Sequence, residues 1–174
     1  MIIRPLERST FYRMHTPRWA TTPTSGAGAA KHGGRFNRVG TPALYLSATA
    51  PTAISEYQQD ALLMPPGTLV AYTIQLSMVA DFSGGFHSRT WDPLWEDWNC
   101  DWRRLAIAEN IEPPSWILGD VARESGLKAV LFPSLKQAGG LNVALFTEML
   151  DKHDVLVPYD PHGDLPTTQA SWLQ

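Results

Sequence analysis

Cysteine is almost absent from this sequence, Cys100 being the only one. A lone thiol cannot close an internal disulfide, and no Cys/His pair stands at zinc-ligand spacing, so neither a bridge nor a metal is expected. A reducing, cytoplasmic setting fits best. No run approaches the roughly 20 apolar residues that span a bilayer, and Met1-Ile2-Ile3-Arg4-Pro5 lacks the apolar stretch of a signal peptide. No membrane partner is therefore expected. A Walker loop, a G-x-G-x-x-G after a strand and a G-x-S-x-G elbow are all missing, which leaves the usual nucleotide folds and serine hydrolases unsupported. Cys100 lies in an acidic stretch unsuited to an activated thiolate.

What the chain does contain is apolar and aromatic. Of 174 residues 44% are hydrophobic, with seven Trp, six Phe and five Tyr, enough for the core of one compact domain. We expect residues 1–157 to form that domain and 158–174 to be a polar tail. The net charge of -3 hides a division. Up to Ser55 there are seven Lys/Arg, six of them Arg, against Glu7 alone; the remainder carries seven bases and sixteen acids. An Arg-rich segment suits bidentate contacts to phosphate or carboxylate, although a basic surface balanced by acids elsewhere would look the same. Overall acidity argues against direct nucleic-acid binding, leaving a small phosphorylated ligand as the better expectation.

Along the chain, Phe11 to His15 reads as a short strand, and Thr16 to Gly34 as a long Pro/Gly/Thr-rich loop of the kind more often used for binding than for connection. Ala43 to Ser47 is a brief strand. A helix follows, with Thr49 as its cap, Pro51 in its first turn and Ala53, Ile54, Tyr57, Ala61 and Leu62 at helical spacing, ending at Pro65-Pro66-Gly67. Leu69 to Leu76 is a strand that Val79 to Phe82 can continue after a bend. Trp91, Trp95, Trp98, Trp102 and Leu105 recur at spacings of four, three, four and three, which predicts an amphipathic helix with a core-facing aromatic seam. A second helix runs from about Ser115 to Ser125, stopped by Gly126. Strands at 129–132, 143–146 and 155–157 complete a mixed pattern, predicting an α+β fold with a small, bent, mainly antiparallel sheet and flanking helices.

Few residues invite chemistry. Gly33-Gly34-Arg35-Phe36-Asn37 can bring backbone and guanidinium up to a phosphate, or can be a turn followed by a surface Arg. Arg13 offers a second guanidinium or a plain salt bridge. Glu56 sits on a mostly apolar helical face, where a carboxylate must be solvated, paired or functional. Ser134 in Phe132-Pro133-Ser134 puts a hydroxyl just past a buried strand, or forms a simple side-chain turn. His15 and His32 flank the basic loop, where they could touch a ligand, but read first as polar surface residues.

In order, Tyr12-Arg13, Gly33 to Asn37, Gly40 to Ser47, Ala53 to Glu56, Pro133-Ser134 and Gly140-Leu141-Asn142 resemble the RES-domain family, named for its Arg, Glu and Ser residues. Phe36 stands where members commonly have Trp, and Arg38-Val39 where a Pro-containing turn is usual. Members are toxins of bacterial toxin–antitoxin pairs. The resemblance implies an ADP-ribosyltransferase-like fold, a split β-sheet with a NAD+-binding cleft. It implies that Arg13 and Arg35 contact phosphates or ribose, that Tyr45 lines the nicotinamide pocket, that Glu56 is the central acid, and that Ser134 and Asn142 complete the pocket. Glu56, Arg35 and Ser134 would be catalytic.

The implied substrate is NAD+, cleaved at the nicotinamide–ribose bond, with ADP-ribose passed to a protein side chain, phosphate or water. A cognate antitoxin, of helix-turn-helix type, is the implied partner, with an acidic or apolar segment reaching Arg13 and Arg35. The alternative is a non-catalytic module in which the basic loop docks a phosphorylated ligand or partner and the Trp stripe forms a protein interface.

Overall fold

A computed structural model describes residues 1–170. Six strands form one sheet: β1 (Ile3–His15), β2 (Leu44–Ser47), β3 (Thr68–Asp81), β4 (Ala129–Pro133), β5 (Leu141–Leu145) and β6 (Val155–Pro158). The order β1-β2-β5-β4-β3, with β3 pairing back to β1, closes five strands into a barrel-like sheet, and β6 adds to the outside edge of β3. All pairings are antiparallel except β3 with β4. The sheet therefore closes instead of splitting, while its mainly antiparallel character agrees with the sequence. Three α-helices flank it: α1 (Ala27–His32), α2 (Ala50–Gln58) and α3 (Pro114–Glu124).

The continuous apolar runs of β4 and β5 follow from burial on both faces. Ala129, Leu131, Val143 and Leu145 point into the barrel with Phe11, Leu44, Leu46, Val70, Tyr72 and Ile74. Val130, Phe132 and Ala144 point outward, under a second layer made by Phe36, Phe82, Trp91, Trp95, Trp98 and Leu118. Strand β3 shows the period-two signature along Val70, Tyr72, Ile74 and Leu76.

Strand β1 is 13 residues long, far more than the stretch from Phe11. Its first half is mixed in character and largely exposed apart from Leu6, so no hydrophobic alternation marks it; it pairs there with β3, across two register irregularities between Arg4 and Ser9. The segment 16–34 is not structureless either. It contains a 3-10 turn at Pro17–Trp19 and the helix α1, and Pro23 is tied to the core by a hydrogen bond from Tyr72 Oη.

Helix α2 starts as expected, Thr49 Oγ1 accepting from the Thr52 amide, but it stops at Gln58. Gln59 takes a positive φ of 52°, and Tyr57 Oη donates to the Pro66 carbonyl, turning the chain back so that Leu62 and Leu63 lie in solvent.

The largest departure is the Trp segment. Instead of one α-helix there is a 3-10 segment at Pro93–Asn99, kinked at Asp97, an extended Cys100, and a π-type turn at Arg104–Ala108. Arg35 Nη1 donates to the carbonyls of Trp98 and Cys100, which an α-helix would have paired with the amides four residues on. The seam survives in part, because a 3-10 turn also aligns residues three apart. Trp91, Trp95 and Trp98 pack around Phe82 at ring-centroid distances of 4.7, 4.9 and 5.4 Å, facing the core as expected. Trp102 is buried on a different surface, where a Cβ on Gly33 would touch it and Trp116.

Helix α3 begins at Pro114, ends just before Gly126 (φ 77°), and buries Ser115, Leu118, Gly119 and Ala122. Gly119 lies directly under the Phe36 carbonyl, where any Cβ would overlap the backbone. Gly119→Ala should therefore lower the urea unfolding free energy by about 1–3 kcal/mol. Gly28→Ala, on α1 with open space around its Cα, should raise it by about 0.4–1 kcal/mol. Equal effects of the two would remove the packing argument.

Candidate active site

The strand register builds the floor of a cleft. Tyr12 pairs with Ser47, Ser47 with Asn142, and Asn142 with Phe132, giving a row across four strands. All four line a cavity of about 330 Å³, within the range of small-molecule sites. The wall opens where β1 and β2 part, since Tyr12–Ser47 is the only pair joining them. Arg13, the next residue, bridges that seam through a 2.8 Å bond from Nη1 to the Tyr45 carbonyl.

Helix α2 lies over β1 and β2 and brings Glu56 to the row. One carboxylate oxygen is held by two donors: Glu56 Oε1 accepts from Asn142 Nδ2 at 2.6 Å and from Ser134 Oγ at 2.7 Å. Asn142 is oriented in turn by Ser47, whose Oγ donates to its Oδ1 at 2.7 Å. Ser134 stands just past β4, and its Oγ also accepts from the amides of Lys136 and Gln137, the side-chain turn considered from the sequence. Both readings of Ser134 coexist in one hydroxyl, which sits behind Glu56 and does not line the cavity. Glu56 Oε2 has no hydrogen-bond partner among the described residues.

The Gly33–Asn37 loop forms the opposite side. Gly34 lies against Tyr45 so closely that a Cβ would collide with the ring and with Asn37. Tyr45 Oη donates to Asn37 Oδ1 at 2.7 Å and accepts from the Phe36 amide at 2.9 Å. Arg35 lines the cavity while anchoring the Trp segment, its guanidinium 5.8 Å from the Trp98 ring centroid.

Residues 10–168 match the family model of the RES domain. The chain belongs to the RES domain family. Among solved structures it is similar to the crystal structure of the M. tuberculosis MbcT-MbcA toxin-antitoxin complex, with a TM-score of 0.58 and 20% identity over 97% of this chain and 89% of that one. That likeness is one of fold. No curated protein matches the chain.

Of the residues singled out in this RES domain, Arg13, Arg35, Tyr45, Glu56 and Asn142 line one cavity, and Ser134 touches it through Glu56. Neither Arg13 nor Arg35 has a carboxylate partner among the described residues, so the simple salt bridge entertained for Arg13 is not formed. Burial pushes both guanidinium groups below their ordinary range, and Glu56 is among the groups that partly restore Arg35. Arg13 Nε is buried with no hydrogen-bond partner among the described residues, an unsatisfied donor that costs stability. Burial also raises the Tyr45 phenol, keeping it neutral.

Several lining residues were not anticipated. Ser47 was visible as the end of a motif but carried no role until the register set it opposite Asn142. Tyr57, Trp102, Arg103 and Lys136 also line the cavity. Spacing marks Tyr57 and Trp102 as members of apolar helical faces without pointing to a cavity, and no local signal marks Arg103 or Lys136.

His15 is buried rather than on the surface. Its Nε2 lies 2.6 Å from Tyr72 Oη, and since that hydroxyl donates to Pro23, Nε2–H is the donor of a neutral imidazole. Burial, then the neighbouring Arg13, lower its pKa to about 3. The unfolded chain would bind a proton near pH 6.5 that the native state refuses. The stability contribution is therefore complete above about pH 6.5 and lost as pH falls toward 3. Between pH 6 and 4 the wild-type protein should lose up to about 1.4 kcal/mol per pH unit more than His15→Gln in urea unfolding. Parallel pH profiles would show that His15 is not the proton site.

Proposed function

We propose that this RES domain is a toxin that cleaves NAD+ at the nicotinamide–ribose bond and transfers ADP-ribose to an acceptor. One observation carries the reading: Glu56 has one oxygen fixed by Ser134 and Asn142 and the other unpartnered, in a cavity whose remaining charged lining residues are Arg13, Arg35, Arg103 and Lys136. That pairing of a single oriented carboxylate with excess cations suits a substrate that is anionic at its diphosphate and develops positive charge at a sugar carbon.

Breaking the glycosidic bond sends its electron pair to the pyridinium ring, and neutral nicotinamide leaves. Positive charge grows on the ribose carbon, and a fixed carboxylate beside it lowers the barrier without reorganising. Ser134 and Asn142 act as positioning residues, holding Glu56 in one rotamer; Ser47 holds Asn142. The neutral Tyr45 ring, fixed at its hydroxyl by the Phe36 amide and Asn37, offers a face for the pyridine ring. Arg13 and Arg35 receive the diphosphate or ribose. We read the closed sheet and its cleft as a variant of the ADP-ribosyltransferase architecture. The acceptor is a protein side chain, phosphate or water, and the product identifies it.

A cognate antitoxin, of helix-turn-helix type, completes the reading. The similar solved structure is described as a toxin–antitoxin complex, and the basic rim of this cleft suits an acidic or apolar inhibitory segment. A second reading, a non-catalytic module that docks a protein partner, draws on the exposed apolar Leu62, Leu63 and Met64 that follow α2.

Purified protein should release nicotinamide from NAD+. Glu56→Gln and Arg35→Ala should each slow release by about 100-fold or more. The product mass should be that of ADP-ribose, its 1″-phosphate, or an acceptor protein heavier by one ADP-ribosyl unit. Full turnover in both variants removes the assigned site, and NAD+ left intact by excess wild-type protein favours the binding module.

A further inference from the structure

The Trp segment delivers one more cation to the cleft. Arg103 lines the cavity with Arg35 and Glu56, and its guanidinium lies over the Trp102 ring, 4.6 Å from the centroid. Trp102 is itself buried, so the platform is fixed. The chain then enters the π-type turn at Arg104–Ala108, an uncommon element that recurs at functional sites. Two carboxylates close in sequence are engaged by Arg104 instead: Glu109 lies 3.4 Å from its Nη1, and Asp101 Oδ1 accepts from its amide.

Arg4, Arg38, Arg104, Arg123, Lys128 and Lys136 all form ion pairs with carboxylates. Arg13, Arg35 and Arg103, all lining the cleft, have no carboxylate partner among the described residues. Arg8, Arg18, Lys31, Arg89 and Lys152 also lack a carboxylate partner among the described residues, but none of them lines the cleft; it is the combination of the two that marks Arg103. Arg103 is also near enough to Arg35 to add to the lowering that burial causes there. Three guanidinium groups against the single carboxylate Glu56 leave the cleft with excess positive charge that suits an anion, and a guanidinium preset on an aromatic ring gives up little freedom on binding one.

We propose that Arg103 is a substrate-binding residue, its guanidinium on Trp102 completing with Arg13 and Arg35 a three-arginine receptor for the diphosphate of a dinucleotide. This rests on the reading of the cleft as a NAD+ site and assigns the Trp segment a part in it. Arg35 joins the two sides: it bonds the carbonyls of Trp98 and Cys100 and so fixes the strand of chain that carries Arg103. The diphosphate would lie among the three guanidinium groups, with the ribose toward Glu56.

The test is calorimetric titration with ADP-ribose and with inorganic pyrophosphate, beside steady-state nicotinamide release. Arg103→Ala should weaken ADP-ribose by about 10- to 100-fold and raise KM for NAD+ in proportion, with the smaller effect on kcat. Arg103→Lys should fall between, keeping the charge without the fork, and Arg104→Ala should stay within about 2-fold of wild type in both measurements. Wild-type affinity in Arg103→Ala overturns the proposal. So does an equal loss in Arg104→Ala, which would point to a general field, or failure of the wild-type protein to bind either ligand. Binding that depends on Arg103 without any NAD+ consumption keeps this site and removes the proposed reaction. Consumption with unchanged KM in Arg103→Ala removes the site and keeps the reaction.

Discussion

The cleft exists because a five-stranded sheet closes through one residue pair. β1 follows β3 for nearly its whole length but meets β2 only at Tyr12 and Ser47. Past that pair the strands part, and backbone groups that a ladder would have consumed face an opening. The Tyr45 carbonyl takes a side-chain donor, Arg13, in place of a strand. A guanidinium at a seam is thereby held by the fold and presented to the cavity in the same geometry.

From this seam the polar groups are ordered by register rather than by flexible reach. Ser47, Asn142 and Glu56 form a relay in which each group fixes the next, starting from a strand pair whose alignment the barrel sets. Ser134 arrives from the other side, at the end of β4, already bound to two amides of its own turn. A carboxylate so constrained has one committed oxygen and one free, which is the asymmetry a site needs to aim charge in a single direction. The arginines lie across the cavity with no carboxylates of their own, so the charge they bring is available to a ligand.

Arg35 has a double task. A residue read from the sequence as a phosphate contact also breaks the helix that the Trp spacing predicts, by taking two of its carbonyls. Local pattern and tertiary demand conflict there, and the tertiary hydrogen bonds prevail. The aromatic seam was legible because residues three apart align in 3-10 as well as in α geometry; the segment's path was not, because no local signal announces a distant guanidinium. The same limit hid Arg103, which on a regular helix would have been one more solvated charge. It also hid the first half of β1, whose mixed residues carry no alternation and whose strand form depends on pairing with β3.

The sequence by itself determined the class of fold, the start of α2 at Thr49, the end of α3 before Gly126, the buried strands β3 to β5, and the ordered motif series that the RES domain match over residues 10–168 bears out. These are local matters: capping, periodicity and backbone conformations that few residues tolerate. Only the tertiary structure decided that the sheet closes, that His15 is buried beside Tyr72, that Ser47 orients Asn142, and that Arg103 lines the cleft. Each of those depends on contacts between residues tens of positions apart, set by register and closure, and no short window of sequence contains them.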